Sequence, residues 1–176
     1  MSVADTPDAL FAPGLTVFPH AGGEDRPESA YPLVPMQAGM LFNSLLNPGA
    51  GVEIEQLVFT LPEAVDAEAL AAAWREVTER HDILRTAFRW EDVQVPSQVV
   101  DAEVGLEFVV EDLGGRSADD AEARLREWLR ADRMRGFELA RAPLQRVALF
   151  RRADADWTLV WTFHHALLDG RAMVLV

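Results

Sequence analysis

The spacing of hydrophobic residues changes along this chain, and the changes predict alternating helices and strands. Between residues 66 and 81, apolar side chains recur every three or four positions, which is typical of a helix with one buried face. The inward positions of this helix are Ala67, Leu70, Ala71, Trp74, Val77, Thr78 and His81. A further helix is predicted from Ser117, which with Asp120 resembles a capping box, to about Met134.

A helix is also predicted from Pro35 to about Leu46, where Asn47-Pro48-Gly49 ends it. Strands are predicted where β-branched and aromatic residues replace the helical spacing. The predicted strands are Glu53 to Leu61, Val93 to Val100, Leu106 to Val110, Leu144 to Arg151 and Trp157 to Phe163. The last strand is apolar on both faces and should be central, and the turn before it predicts a hairpin. Mixed helices and strands indicate an α/β two-layer sandwich.

Residues 1–30 have a different composition from the remainder of the chain. They carry prolines and glycines among small and acidic residues, without a sustained period, and are predicted to form a mobile leader. An alternative is that part of this leader docks as an extended strand. The apolar residues available for that are Leu10, Phe11, Leu15, Val17 and Phe18. A single globular domain is then expected over residues 31–176.

Composition and charge exclude several classes of function. The net charge is −13, which argues against a nucleic-acid-binding surface, because such surfaces cluster basic residues against phosphates. All 16 basic residues are arginine, so no lysine is available for a Schiff base or a phosphate-binding loop. The chain has no cysteine, which excludes disulfides and thiolate chemistry. No apolar stretch is long enough to span a membrane, and a cytoplasmic protein is expected.

The candidate chemistry is concentrated in one segment. The run His164-His165-Ala166-Leu167-Leu168-Asp169-Gly170 directly follows the apolar strand that ends at Phe163. It places imidazoles, a carboxylate and a glycine where a buried strand ends. Histidine is suited to proton transfer near neutral pH, because its ordinary pKa is about 6.5. Successive side chains on a strand point to opposite sides, so only one of the two histidines should face a site.

This run, His-His-x-x-x-Asp-Gly, resembles the signature of nonribosomal peptide synthetase condensation domains, which are chloramphenicol-acetyltransferase-like acyltransferases. Three other segments are similar to further motifs of that family, in the same order. They are Tyr31 to Phe42, Arg80 to Phe88, and Phe137-Glu138-Leu139 followed by Ala142-Pro143-Leu144. The resemblance covers residues 31–176. Two positions depart from the pattern near the site: Arg135-Gly136 stands where Asp-Pro is frequent, and Ala172 stands where Ser is often found.

The resemblance implies the amino-terminal lobe of a V-shaped, two-lobed enzyme with the carboxy-terminal lobe absent. The implied reaction is amide bond formation between carrier-bound thioesters, with the phosphopantetheine arm supplied by peptidyl or acyl carrier proteins and no cofactor bound by this chain. With half of the tunnel wall missing, the isolated chain is expected to be inactive. The alternatives are an acyl-CoA-dependent O-acyltransferase of the wax-ester or diacylglycerol synthase type, and a non-catalytic half-domain.

The resemblance also implies roles for individual residues. His165 would contact the attacking amine as a general base or as an orienting group, whereas His164 would be structural. Asp169 would pair with Arg85 and hold the loop, although a triad-like contact with His165 is the alternative. Gly170 would either line the tunnel mouth or act as a turn glycine.

Three other features have a structural and a functional interpretation. His81 is predicted to be a packed histidine rather than a ligand. No metal site is expected, because adjacent histidines on a strand diverge and no third ligand is evident. The helix from Ser117 carries an arginine-rich side that is either a solvated face or a docking surface for acidic carrier proteins. Its arginines are Arg124, Arg126, Arg130, Arg133 and Arg135.

Overall fold

The computed structural model describes residues 15–17 and 27–175. Within these residues lie eight strands and three α-helices. The strands are β1 (Leu15–Val17), β2 (Pro27–Pro32), β3 (Ile54–Leu61), β4 (Thr86–Arg89), β5 (Ser97–Asp101), β6 (Glu107–Asp112), β7 (Gln145–Ala153) and β8 (Asp156–His164). The helices are α1 (Pro35–Leu46), α2 (Ala67–Arg80) and α3 (Ala118–Arg135), and two short 3₁₀ turns cover Asp82–Arg85 and Ala172–Val174.

The strands form two sheets. The large sheet has the order β1-β6-β7-β8-β3, and the small one has the order β2-β5-β4. Strands β6 and β7 are parallel and are joined through α3, whereas the other pairs in both sheets are antiparallel. The predicted hairpin is confirmed as β7 and β8. The predicted central position of the last strand is also confirmed, since β8 lies between β7 and β3.

Helices lie on both faces of the large sheet. Trp161 of β8 faces α2, where its ring centroid lies 5.2 Å from that of Trp74. On the opposite face, Phe150 of β7 packs edge-on against Trp128 of α3 at 5.2 Å. The mixed α/β class is confirmed. The structure adds a third layer to the predicted two, because β7 and β8 are apolar on both faces and each face needs a cover.

The two longer helices each begin at a capping residue, of which Ser117 is the predicted one. Asp66 accepts hydrogen bonds from the backbone N–H groups of Glu68 and Ala69 at the start of α2, each 3.0 Å long. Ser117 accepts the N–H of Asp120 at the start of α3. These bonds satisfy backbone donors that have no partner inside the helix.

Five observed elements differ from the sequence predictions. Strand β4 is not among the predicted strands. Strand β5 begins at Ser97 rather than at Val93, because the start of β5 is defined by its pairing with β2 and β4. Helix α2 ends at Arg80, so His81 is a half-buried residue at the helix end and not part of the buried stripe. Strand β1 and most of β2 lie within residues 1–30, where a mobile leader is predicted.

Part of the predicted leader adopts the alternative conformation, a docked extended strand. Thr16 of β1 pairs with Val110 of β6, so residues 15–17 form an edge of the large sheet. Residues 29–32 of β2 pair with β5 in the small sheet. The remaining predicted docking residues, Leu10, Phe11 and Phe18, lie outside the described residues.

A buried polar cluster connects α3 with the large sheet. The carboxylate of Asp132 is fully buried and pairs with the guanidinium of Arg146. It also accepts hydrogen bonds from Gln56 (2.9 Å) and Thr162 (2.7 Å). The guanidinium of Arg146 lies 4.2 Å from the ring centroid of Phe137. This cluster compensates two buried charges, as burial of ionised groups requires.

Candidate active site

Strand β8 ends at His164, and the two histidines lie in different surroundings. His164 is 1% exposed, and its ring meets that of Phe88 edge-on with centroids 6.3 Å apart. His165 is half-buried and lines a cavity of about 310 Å³. This divergence agrees with the alternation of side chains along a strand. Of the two, His165 is therefore the one in a position to meet a ligand in that cavity.

The hydrogen bonds of His164 define a neutral ring. Its Nδ1 accepts the backbone N–H of Ala166 over 3.2 Å, so this nitrogen carries no proton. Its Nε2 therefore carries the proton and donates to Oγ of Ser44 over 2.9 Å. Burial lowers the pKa of His164 from 6.5 to about 4. At neutral pH the ring is an uncharged structural connection between β8, α1 and the loop that follows.

Two backbone carbonyls hold His165. Its backbone N–H donates to the carbonyl oxygen of Glu53 over 2.7 Å. Its Nδ1 lies 3.1 Å from the carbonyl oxygen of Leu168, and a carbonyl only accepts, so Nδ1 carries the proton. In the neutral ring, Nε2 is then the nitrogen with a free lone pair. This tautomer is the one suited to accept a proton.

Glu53 holds this position with an unusual backbone. Its φ is 56°, in the left-handed region that non-glycine residues rarely adopt. Its side chain accepts a hydrogen bond of 2.7 Å from Asn43 of α1. Backbone strain of this kind persists only where surrounding contacts determine it. The strained residue, Glu53, is also the one whose carbonyl accepts the N–H of His165.

The cavity beside His165 is bounded by the small sheet, by α1 and by the loop after β8. Tyr31 comes from β2, Met40 from α1 and Gln98 from β5, while His165 and Asp169 come from the loop after β8. The wall therefore combines a wide apolar surface with a few polar groups, which is typical of a small-molecule site. It is suited to hold an organic substrate against the imidazole of His165.

Asp169 is exposed and acts on the backbone of its own loop. Its Oδ1 accepts the N–H of Arg171 (3.0 Å) and that of Ala172 (2.7 Å). These backbone hydrogen bonds, that of Ala172 first, lower the pKa of Asp169 below its ordinary value. Asp169 thus caps the 3₁₀ turn Ala172–Val174. Among the ion pairs of the described residues it has no contact with Arg85, so the predicted pairing is wrong.

Arg85 instead holds the small sheet together. Its buried guanidinium donates from Nη1 to the carbonyl oxygen of Asp101 (2.5 Å) and to Glu28 (3.1 Å), and from Nη2 to Asp82 (2.7 Å). These partners come from β2, from β5 and from the 3₁₀ turn after α2. The carboxylates of Glu28 and Asp82 thus compensate the buried charge of Arg85. Arg85 is structural and does not belong to the site.

Gly170 is exposed, and its surroundings are open. A Cβ added there meets no atom within 4 Å among the described residues, and its φ does not lie in the left-handed region. Neither the turn nor internal packing therefore requires a glycine. Because Gly170 has no side chain, free space remains beside Asp169 at the edge of the site.

Sequence reasoning gives no role to three residues that shape the site. Ser44 binds His164, Glu53 binds His165, and Gln37 binds the carbonyl oxygen of Ala166 over 3.1 Å. Gln37 lies in the first motif-like segment, but its partner is 129 residues away. No local sequence signal indicates such a contact, which depends on how α1 packs against the end of β8.

Most of the arginine-rich side of α3 is used within the chain. Arg124 is buried and pairs with Glu111 through two hydrogen bonds of 2.7 and 2.8 Å. Arg135 pairs with Glu107 at 2.8 Å, and Arg133 donates to the carbonyl oxygen of Ile54. Arg126 pairs with Glu122 on the same helix. These contacts favour the structural interpretation of the arginines over a docking surface.

The part of the chain that the structure describes contains neither a candidate metal site nor a membrane-spanning helix. Within residues 15–17 and 27–175, no three His, Asp or Glu side chains are grouped so that they could hold a metal ion. None of the helices in these residues has the length and hydropathy of a membrane span.

Comparison with known proteins identifies the family of this chain. A family model described as the condensation domain matches residues 27–176. The chain belongs to the condensation-domain family. The matched range includes every motif-like segment and the whole of the site described above.

The similar curated proteins are large peptide synthases. The chain is 44% identical over 155 residues to one component of the linear gramicidin synthase of Brevibacillus parabrevis and 46% identical over 151 residues to another component of that synthase. It is 39% identical over 149 residues to a component of the mycosubtilin synthase of Bacillus subtilis. These matches cover 85 to 88% of this chain but only 2 to 6% of those proteins.

Solved structures show the same fold. A variant of the starter condensation domain of rhizomide synthetase RzmA superposes with a TM-score of 0.74 at 26% identity, covering 84% of this chain and 35% of that one. The four-domain nonribosomal peptide synthetase AB3403 superposes with a TM-score of 0.72 at 20% identity, covering 85% of this chain and 11% of that one. The chain thus spans about a third of a solved condensation domain, and the chloramphenicol-acetyltransferase-like fold is confirmed.

Proposed function

We propose that this chain provides the amino-terminal lobe of a condensation domain that forms amide bonds in nonribosomal peptide synthesis. The observation that carries the proposal is the state of His165. Its Nδ1 is committed to the carbonyl oxygen of Leu168, so Nε2 is the free base, and the ring lines a cavity large enough for an organic substrate. Membership of the condensation-domain family supports the same reaction.

In the proposed reaction, the amine nitrogen of an acceptor aminoacyl thioester attacks the carbonyl carbon of a donor thioester. The C–N bond forms and the C–S bond breaks. Nε2 of His165 accepts or orients the proton that leaves the amine, and the departing sulfur takes up a proton to become a thiol. No covalent intermediate on the protein is needed. Holding amine and carbonyl in contact supplies a large part of the rate.

The proposed partners are peptidyl or acyl carrier proteins, whose phosphopantetheine arms present both substrates. The open space at Gly170 supports a passage for such an arm beside His165 and Asp169. The chain itself needs no cofactor in this proposal. The alternative of an acyl-CoA-dependent O-acyltransferase receives no support from the relatives, which are peptide synthases.

Single-turnover assays with loaded carrier proteins test the proposal, with the chain placed in a complete condensation domain. His165→Ala should lower amide formation by roughly 10²- to 10⁴-fold, the range for lost acid–base help. His81→Ala is the matched control, because it removes a half-buried imidazole outside the cavity and should leave the rate unchanged. The isolated chain should form no amide.

Two results would contradict the proposal. The first is a wild-type domain that forms no amide with any loaded carrier pair, although it is folded. The second is a His165→Ala variant with the full rate, which would remove His165 from the reaction. His164→Ala should affect stability more than His165→Ala does, since His164 is the buried member of the pair.

A further inference from the structure

We propose that Gln37 is a positioning residue for His165 and that it acts through the carbonyl group of Ala166. The proposal rests on the proposed function, because it concerns how the reacting imidazole is held. Gln37 lies in the first turn of α1 and lines the same cavity as His165. Its side-chain amide joins three separate parts of the chain.

Every hydrogen-bonding position of the Gln37 amide is occupied. Its Nε2 donates to the carbonyl oxygen of Ala166 and to Oε1 of Gln98, each over 3.1 Å. Its Oε1 accepts the N–H of Val34 (3.1 Å) and one proton from Nε2 of Gln98 (3.3 Å). Two donors and two acceptors match the full capacity of a primary amide.

These partners allow only one orientation of the amide. The N–H of Val34 requires an oxygen, and the carbonyl of Ala166 requires a donor, so exchanging the two amide atoms would break both bonds. Glutamate at this position would place a carboxylate oxygen against the carbonyl of Ala166. The site therefore requires an amide, and a carboxylate of the same shape cannot replace it.

The contact at Ala166 controls the short loop that carries His165. Ala166 is held at both of its backbone groups, since its N–H donates to Nδ1 of His164 and its carbonyl accepts from Gln37. Two residues later, the carbonyl of Leu168 accepts from Nδ1 of His165. Because the loop is fixed at Ala166, the carbonyl of Leu168 is held next to Nδ1 of His165. This contact favours the tautomer that carries its proton on Nδ1.

Gln98 provides a matched comparison. It is 6% exposed and shares the reciprocal amide pair with Gln37, whereas the hydrogen bond to the backbone of Ala166 comes from Gln37. Gln98→Met removes the buried pair and leaves the contact between Gln37 and Ala166 in place. Gln37→Met removes both. If the amide pair is purely structural, both substitutions should change the His165 ring to the same extent. If Gln37 positions His165, only Gln37→Met should change the ring.

The test uses the 176-residue chain labelled with ¹⁵N in its histidine rings and backbone. In the wild type, the neutral form of the His165 ring should show the signature of a single Nδ1-protonated tautomer. In Gln37→Met, this signature should change to a mixture of tautomers. Hydrogen exchange at the amide of Leu167 should become about tenfold faster, as expected when one well-made hydrogen bond is lost locally.

In Gln98→Met, the His165 signature should stay that of the wild type. Gln94→Met controls for the substitution itself, because Gln94 is exposed in the loop before β5. The proposal is overturned if Gln37→Met leaves the His165 ring unchanged, or if Gln98→Met changes it to the same extent. A Gln37→Glu variant gives a second test, and an unaltered His165 tautomer in it would also overturn the proposal.

This experiment is independent of turnover, so it separates the two proposals. If the wild-type domain forms no amide, the proposed function fails while the ring signatures still decide the role of Gln37. If the domain is active, Gln37→Met should lower kcat about tenfold and leave KM for the carrier proteins unchanged, because the ring is misplaced while the carrier surface is intact. Unchanged kcat would overturn the positioning role.

Discussion

His164 and Ser44 are joined by a hydrogen bond of 2.9 Å between Nε2 and Oγ, while Nδ1 of the same ring accepts the N–H of Ala166. Both ring nitrogens are therefore used by the neutral imidazole. A proton added at Nδ1 would break the bond to Ala166 and create a buried charge. Burial accordingly lowers the pKa of His164 to about 4.

This pKa makes the stability of the protein depend on pH. In the unfolded chain the pKa of this histidine is the ordinary 6.5. Between pH 6.5 and about 4 the unfolded state therefore binds a proton that the folded state does not bind. The contribution is fully present above pH 6.5 and decreases as the pH falls towards 4, by about 3 kcal/mol in all.

Urea unfolding at about pH 7 and about pH 4.5, on either side of the ordinary pKa of histidine, measures this effect. His164→Gln is the control, because it removes the titrating ring. The variant should be less stable than the wild type at neutral pH, and its stability should change less between the two pH values. An identical pH dependence in both proteins would show that another group is responsible.

Substitution of Asp169 distinguishes a capping role from a buried ion pair. Asparagine keeps a side-chain oxygen that can accept the N–H groups of Arg171 and Ala172, whereas alanine does not. Asp169→Asn should therefore retain more stability than Asp169→Ala in denaturation followed by circular dichroism. Equal and large losses in both variants would instead point to a charge partner, as the sequence resemblance implies.

Gly170→Ala separates folding from passage of a substrate arm. The added methyl group meets no atom of the described residues within 4 Å, so the melting temperature should not change. Amide formation in a complete domain should fall about tenfold if the arm passes over this position, since small displacements of a reacting group are costly. Gly39→Ala is the control, because a Cβ at this position of α1 also meets no atom of the described residues within 4 Å. Full turnover of Gly170→Ala would exclude close passage.

Removal of the Asp132 carboxylate should destabilise the fold strongly. Asp132→Ala leaves the guanidinium of Arg146 buried without its charge partner, and breaking a buried pair costs roughly 3–5 kcal/mol. Asp112→Ala is the comparison, because Asp112 pairs with Arg151 at the surface and should cost much less. Urea titrations measure the free energy of unfolding of both variants. A similar loss of stability in Asp132→Ala and Asp112→Ala would contradict the structural role of the cluster.

The elements that are predictable from the sequence are those with a local cause. Helix α2 follows from its apolar spacing, and helix α3 from its apolar spacing and the cap Ser117. The central position of β8 follows from apolar residues on both of its faces. The divergence of His164 and His165 follows from strand alternation alone. In each case the deciding contacts lie within a few residues along the chain or follow from the period of the element.

Contacts between distant segments are not predictable in this way. The resemblance pairs Arg85 with Asp169, whereas the position of Glu28, one of the two carboxylates that Arg85 contacts, depends on the pairing of β2 with β5. Strand β4 is four residues long and is recognisable only by its pairing with β5. The amide pair of Gln37 and Gln98 joins residues 61 positions apart. Such contacts require the tertiary arrangement before any residue pattern can reveal them.

The cavity beside His165 has one further property, which follows from the elements that form its wall. The backbone N–H of His165 is held by Glu53, the residue before β3, whereas Tyr31 and Gln98 of the cavity wall belong to the small sheet. The separation between the small sheet and the loop after β8 therefore sets the width of the cavity. A substitution in the small sheet can change that width without altering the hydrogen bonds that hold His165.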